Sequence, residues 1–204
     1  MQSHPERSEG SAFPSLKRAV LFAVCMTWLN VSAAAEVAGV RIEDKVRLGG
    51  SDLVLNGAGL RKRIVFKVYV GALYLPEKSG DAAKILASSG PKRVSMTLMR
   101  DLTAKQLTEA LEDGVRANHT EAQLAVLRAR LDTAEATMRE IGSAKEGSVI
   151  GLEYAPGTGT RITVDGTPKG PPIAGEDFYA ALLRVWLGDK PVDATLKKAM
   201  LGQP

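Results

Sequence analysis

The chain has one cysteine, Cys25, and two histidines in 204 residues. A single thiol excludes an internal disulfide and any zinc site built on cysteine pairs. Aromatic residues are 5% of the chain and no basic run is interleaved with them, so base stacking along a cationic groove has no carrier. Nucleic acid is therefore not an expected partner. The glycine-rich phosphate loop, the dinucleotide-binding glycine fingerprint, the His-x-x-x-His pair and the Gly-x-Ser-x-Gly elbow are all missing. His119, in the polar run RANHTEAQ, would have to support a Ser-His or Cys-His nucleophile alone, and reads as a solvated turn residue. No metal, cofactor or catalytic residue is expected.

What is present is the profile of one globular domain, 45% hydrophobic and 25% charged. The net charge of +4 is spread along the chain and hints at acidic ligands or anionic surfaces. At the N-terminus Lys17 and Arg18 precede the apolar run Ala19 to Leu29, and Ser32 to Ala35 supplies small residues before Glu36. This predicts a secretory signal peptide, residues 1–35, whose removal takes Cys25 with it; the polar leader Met1 to Leu16 is long for such a signal. A domain over residues 36–204, a periplasmic or secreted location and no stable membrane span after cleavage follow as expectations. Oligomeric state is left open.

Along that domain, Val40, Ile42, Val46 and Leu48, then Leu53 and Leu55, alternate around the turn residues 49–52. The stretch 56–75, NGAGLRKRIVFKVYVGALYL, reads as a half-buried strand entered through a Gly turn. Ile64, Phe66, Val68 and Val70 form one phase, and Val65, Lys67, Tyr69 and Gly71 the other. Asp81 caps a short helix, and residues 92–100 alternate again. The capping boxes Thr103/Gln106 and Thr120/Gln123 open two helices, the second ending at Gly142. Residues 148–154 and 160–165 bracket the turn PGTG, Asp165-Gly166 marks another, and Asp193 caps a last helix after the stripe Phe178, Leu182, Val185, Trp186. Strands with one apolar face and helices with one apolar stripe predict an α+β architecture, an antiparallel sheet with helices on one face.

Arg61 and Tyr69 are the side chains that could close on a carboxylate, since a desolvated guanidinium needs an anion and a phenol can add a second donor. Each has a plainer reading. The cations 61–63 could be a solvated strand edge, Tyr69 a core residue with its hydroxyl at the rim, and Asn56 to Gly59 a turn or a backbone nest for an anion.

Three segments, GAGLRKR (57–63), FKVYVGALYLP (66–76) and FYAALLRVWLGDKPVDATLKKAMLG (178–202), resemble the bacterial branch of the chalcone isomerase-like proteins, with similarity over 37–202. The resemblance implies an open-faced β-sandwich. Plant chalcone isomerases close a flavanone ring, while related non-catalytic members bind fatty acids in the same cleft. The isomerase arginine is matched by Arg61, its strand threonine by Tyr69, and its helical tyrosine and asparagine by Leu107 and Gly114 of LTAKQLTEALEDG. Leucine and glycine cannot do what those polar groups do. The fatty-acid-binding members pair the arginine with a tyrosine. The resemblance therefore implies a fatty acid or similar amphipathic carboxylate as ligand, with Arg61 and Tyr69 on the head group, Arg63 as the neighbouring candidate and Leu107 on the lining. An isomerase of the intramolecular-lyase class and a structural or partner-binding envelope protein are the alternatives.

Overall fold

The alternating segments form strands that pair with their sequence neighbours wherever a tight turn joins them. The structure, a computed structural model, describes residues 35–203; the expected leader and signal segment lies outside the described residues. Eleven strands are present among those residues: β1 (Ala35–Val37), β2 (Val40–Ile42), β3 (Lys45–Leu48), β4 (Ser51–Arg63), β5 (Phe66–Leu75), β6 (Lys92–Leu98), β7 (Leu102–Thr103), β8 (Ser143–Ala144), β9 (Val149–Ala155), β10 (Gly159–Val164) and β11 (Thr167–Ile173). Seven make one antiparallel sheet in the order β11-β10-β9-β6-β5-β4-β3, and β1-β2 and β7-β8 are separate two-stranded ribbons. The proline-rich segment 167–173 is the edge strand β11, the one place in a sheet where missing N–H donors cost little.

Five helices complete the described chain: α1 (Ala82–Ala87), α2 (Ala104–Ala117), α3 (Glu121–Ile141), α4 (Glu176–Leu187) and α5 (Ala194–Met200). Asp81 and Asp193 cap α1 and α5, and both expected capping boxes form, with Thr103 and Thr120 each accepting from the backbone N–H three residues on. Gly142 ends α3 in the left-handed region, φ 71°. The helices and one sheet face enclose the main core, which runs through Leu73, Leu98, Ile150 and Leu152 to Leu111, Leu131, Phe178 and Leu182. This is the expected α+β open-faced sandwich.

The sheet's second face is less open than alternation implies. Val70, Ala72 and Tyr74 of β5 join Leu53, Leu48 and Ile42 in a second core, against which the ribbon residues Val37 and Val40 pack. Both faces of β5 are buried from Val68 to Leu75, so the expectation of a half-buried strand is corrected. A central strand covered on both sides reads as a near-continuous apolar run.

The expected turn at Asn56 to Gly59 is also corrected. Those residues lie inside β4, and the reversal falls at Ile64-Val65. Asn56 is buried, its amide donating to Ser79 O and Met200 O and its Oδ1 accepting from Ser79 N. Gly57 and Gly59 are small because α5 lies on them: a Cβ at Gly57 would stand 2.0 Å from Ala199 O, and one at Gly59 2.6 Å from Ala199 Cβ. Close approach of a helix, rather than turn formation, demands glycine there.

Candidate functional site

Arg61 and Tyr69 are direct partners in the β4–β5 register, so their side chains leave the same sheet face. One step further the register shifts, with Lys62 opposite Lys67 and Arg63 opposite Phe66, which leaves Val68 as an extra residue. Upstream, α5 sits directly on Gly57 and Gly59 of β4, and a Cβ added at Gly71 of β5 would stand 3.4 Å from Leu196 of α5. Arg61 thus emerges at the rim of α5, on the face covered by helices.

The guanidinium carbon of Arg61 lies 5.5 Å from the centroid of the Tyr69 ring. Its Nε is buried and has no hydrogen-bond partner, and among the described residues Arg61 makes no ion pair. The nearby carboxylate, Asp193, is engaged elsewhere: Oδ1 accepts from Leu196 N at 3.0 Å as the α5 cap, and Oδ2 accepts from Lys62 N at 3.3 Å. A half-buried cation stacked on an aromatic ring and lacking its counter-anion is the feature that sets this corner apart.

Tyr69 is 6% exposed. Its hydroxyl oxygen accepts from Trp186 Nε1 at 2.8 Å, which leaves the phenolic proton free to donate to a second group. Burial pushes the phenol up to about 12, with the Arg61 charge and the Trp186 hydrogen bond opposing and Asp193 adding slightly. A phenol so held is a hydrogen-bond donor at neutral pH and not a base. Together the two residues offer a delocalised cation and a neutral O–H donor above an apolar floor, a match for a carboxylate.

Trp186 is the residue that sequence reasoning missed. It appears in the sequence only as one member of the α4 stripe, yet its indole N–H fixes the Tyr69 hydroxyl. The signal was available in principle, since a buried indole must find an acceptor. Of the other expected site residues, Arg63 is exposed at the end of β4 opposite Phe66, away from the Tyr69 hydroxyl contact, and Leu107 is half-buried on α2 against the main core. Gly114, also on α2, sits where α4 crosses; a Cβ there would be 2.7 Å from Val185. His119 Nδ1 donates to Val115 O at 2.7 Å, in the turn between α2 and α3.

The helix layer carries surface clefts. One of about 200 Å³ lies between α2 and α3, with Glu112, Leu124, Arg128 and Glu135 on its walls. Another, of about 270 Å³, is at the α2–α3 turn beside Arg184 and Lys190. Neither is lined by Arg61 or Tyr69, and both fall below the roughly 300 to 1,000 Å³ of ligand pockets. Tyr69 itself is buried against the helix layer, held there by Trp186. Among the described residues no cluster of three metal-ligating side chains occurs, and no helix is long and apolar enough to cross a membrane.

The comparisons agree with this architecture. A fatty-acid binding protein of Arabidopsis thaliana has a similar fold, with a TM-score of 0.63 and 14% identity over 80% of this chain and 92% of that one. No curated protein matches the sequence. The family model described as chalcone isomerase-like matches residues 34–202, nearly the whole of the described chain, and the protein belongs to the chalcone isomerase-like family.

Proposed function

We propose that the protein binds a fatty acid or a similar amphipathic carboxylate between the sheet and the helix layer. Arg61 neutralises the head group, the Tyr69 hydroxyl donates to it, and the acyl chain lies along the apolar faces of α2 and α3. The observation that carries this reading is the Arg61 guanidinium, half-buried on the Tyr69 ring with its Nε unpartnered. A desolvated cation gains most from an anion that can use its N–H fork. The Arabidopsis neighbour, whose name states fatty-acid binding, adds support at the level of fold.

The isomerase reading fares worse. Leu107 has no hydroxyl, Gly114 is needed bare for the α2–α4 crossing, and Tyr69 stays protonated far above neutrality. An enzyme of that class would consume chalcone faster than its spontaneous cyclisation, and no excess rate is expected here. A purely structural envelope protein would have no use for an unpaired guanidinium at the rim of α5. Export to the periplasm or beyond is part of the proposal, supported by Lys17 and Arg18 before an apolar run and SAAA before Glu36.

The test is extraction of purified residues 36–204 followed by mass spectrometry, which should release close to one fatty acid per chain. Protein that comes off clean and also ignores added laurate and palmitate would sink the reading.

A further inference from the structure

The reversal between β4 and β5 breaks two rules of local design at once. It is a two-residue loop whose first position, Ile64, has φ 58°. Such a position normally falls to glycine, because a β-branched side chain is strained in the left-handed region. The same loop is apolar and in water: Ile64 is 89% exposed, Val65 78% and Phe66 59%. These are three of the four large hydrophobic side chains that the described surface exposes in this way, and they are consecutive. Nothing in the fold requires them there, since a polar Asn-Gly turn would close the hairpin with less strain.

The charge on the hairpin itself is of one sign, the nearest carboxylate, Asp193, lying on α5's cap at Lys62 N. Lys62, Arg63 and Lys67 are exposed on its two strands, and Arg100 adds a fourth cation, its guanidinium 5.8 Å from the Phe66 ring centroid. No acidic residue occurs from 53 to 76. An apolar point ringed by cations is complementary to an anionic lipid surface, where the point sits among the acyl chains and the cations meet phosphates. We propose that the β4–β5 hairpin tip docks the protein on anionic phospholipid bilayers. Docking stands on exposure, strain and charge, and does not require the carboxylate reading. If that reading also holds, the tip places Arg61 two residues from the membrane, where a fatty acid would be exchanged.

The test uses residues 36–204, which belong to one compact unit and leave out the apolar segment that would bind lipid by itself. The protein should float with vesicles of three parts phosphatidylcholine to one part phosphatidylglycerol, and much less with phosphatidylcholine alone. Ile64→Gly is the decisive variant because it relieves the left-handed strain: the fold should be at least as stable while vesicle affinity falls about tenfold. Phe66→Ser should do the same to affinity. Replacing Lys62, Arg63 and Lys67 by glutamine should cost on the order of a hundredfold and remove most of the salt dependence, leaving the part due to Arg100. Arg61→Ala should still float even when it no longer binds laurate, which separates failure of one proposal from failure of the other. Equal binding to both vesicle types, or unchanged binding by Ile64→Gly and Phe66→Ser, would overturn the inference. So would a concentration-dependent dimer that Ile64→Gly dissolves and that binds no vesicles, since the occupant would then be a second copy of the chain.

Discussion

Arg61 and Tyr69 face each other across the β4–β5 pair with the guanidinium carbon 5.5 Å from the ring centroid, and the cation has no carboxylate of its own. A guanidinium held over the ring keeps less of its rotamer freedom, so less entropy is lost when an anion arrives. Arg61→Ala should therefore weaken laurate binding by about 1.5 to 3 kcal/mol, the range for a charge-assisted hydrogen bond. Arg61→Lys should recover only part of that, because an ammonium neither stacks nor forks. Calorimetric titration of residues 36–204 measures both. Unchanged affinity in Arg61→Ala would mean that the head group lies elsewhere.

Tyr69→Phe removes the acceptor of a buried indole N–H. An unsatisfied buried donor costs about 1 to 3 kcal/mol, so urea unfolding should shift by that amount even though only an oxygen is lost. The same phenol governs the alkaline limit. Its folded pKa of about 12 lies above the ordinary 10.0, so the folded state keeps a proton that the unfolded chain gives up. The resulting stability is intact below pH about 10 and is lost as pH rises toward about 12. Tyr74, which donates to Glu43 O at 2.9 Å, is pushed up to about 12 as well, and burial raises Tyr154 and Tyr179 in the same direction. Tyrosinate absorbance should thus rise together with the loss of ellipticity. A phenol that titrates near its ordinary value in folded protein would contradict this.

The sequence carried the helices almost to the residue, because Thr103, Thr120, Asp81 and Asp193 announce themselves by side-chain chemistry that acts within one turn. It also joined Arg61 to Tyr69, through the resemblance and the chemistry of a carboxylate site. It misplaced the hairpin for a physical reason. Asn56 to Gly59 has turn composition, but its glycines answer to α5, more than 130 residues away in the chain, and nothing local reports that contact. Ile64 and Val65 have strand composition yet make the turn, at a position where strain and exposure oppose local preference. Trp186 stayed hidden for the same reason as the α5 seat: its partner lies across the sheet–helix interface, outside any periodic pattern.

The α5 seat makes a prediction of its own. In Gly57→Ala the new methyl would meet Ala199 O at 2.0 Å, backbone that can yield only if the helix lifts. Overpacking of this kind costs about 1 to 3 kcal/mol, and here it should also disturb Arg61, further along the same strand. Gly80→Ala, whose methyl would stand 3.5 Å from Leu201 O, is the control that should leave stability nearly unchanged. Thermal melts of the two variants side by side decide it. Equal melting points would show that α5 does not press on the sheet.

A last prediction concerns the cleft between α2 and α3, where Glu135 is buried with Oε1 unpartnered. Burial raises its pKa first. The Glu112 carboxyl opposite it on α2 raises it further; Asp132 adds to this and Arg128 opposes it. Arg139, 3.9 Å from Oε2, is exposed and screened, so it offsets little. With the folded pKa above the unfolded value, the folded state binds the proton more tightly. The stability this supplies is complete below the ordinary carboxyl pKa of 4.5 and declines as pH rises through the raised value. Glu135→Gln keeps the shape and removes the charge, so it should raise the melting temperature at about pH 7 by an amount worth on the order of 1 kcal/mol, and change little at about pH 4. Melts of the wild type and the variant across that range would show the two curves converging on the acid side. Curves that stay parallel would mean that Glu135 keeps its charge in the fold without cost, and that the α2–α3 cleft is wetter than its packing implies.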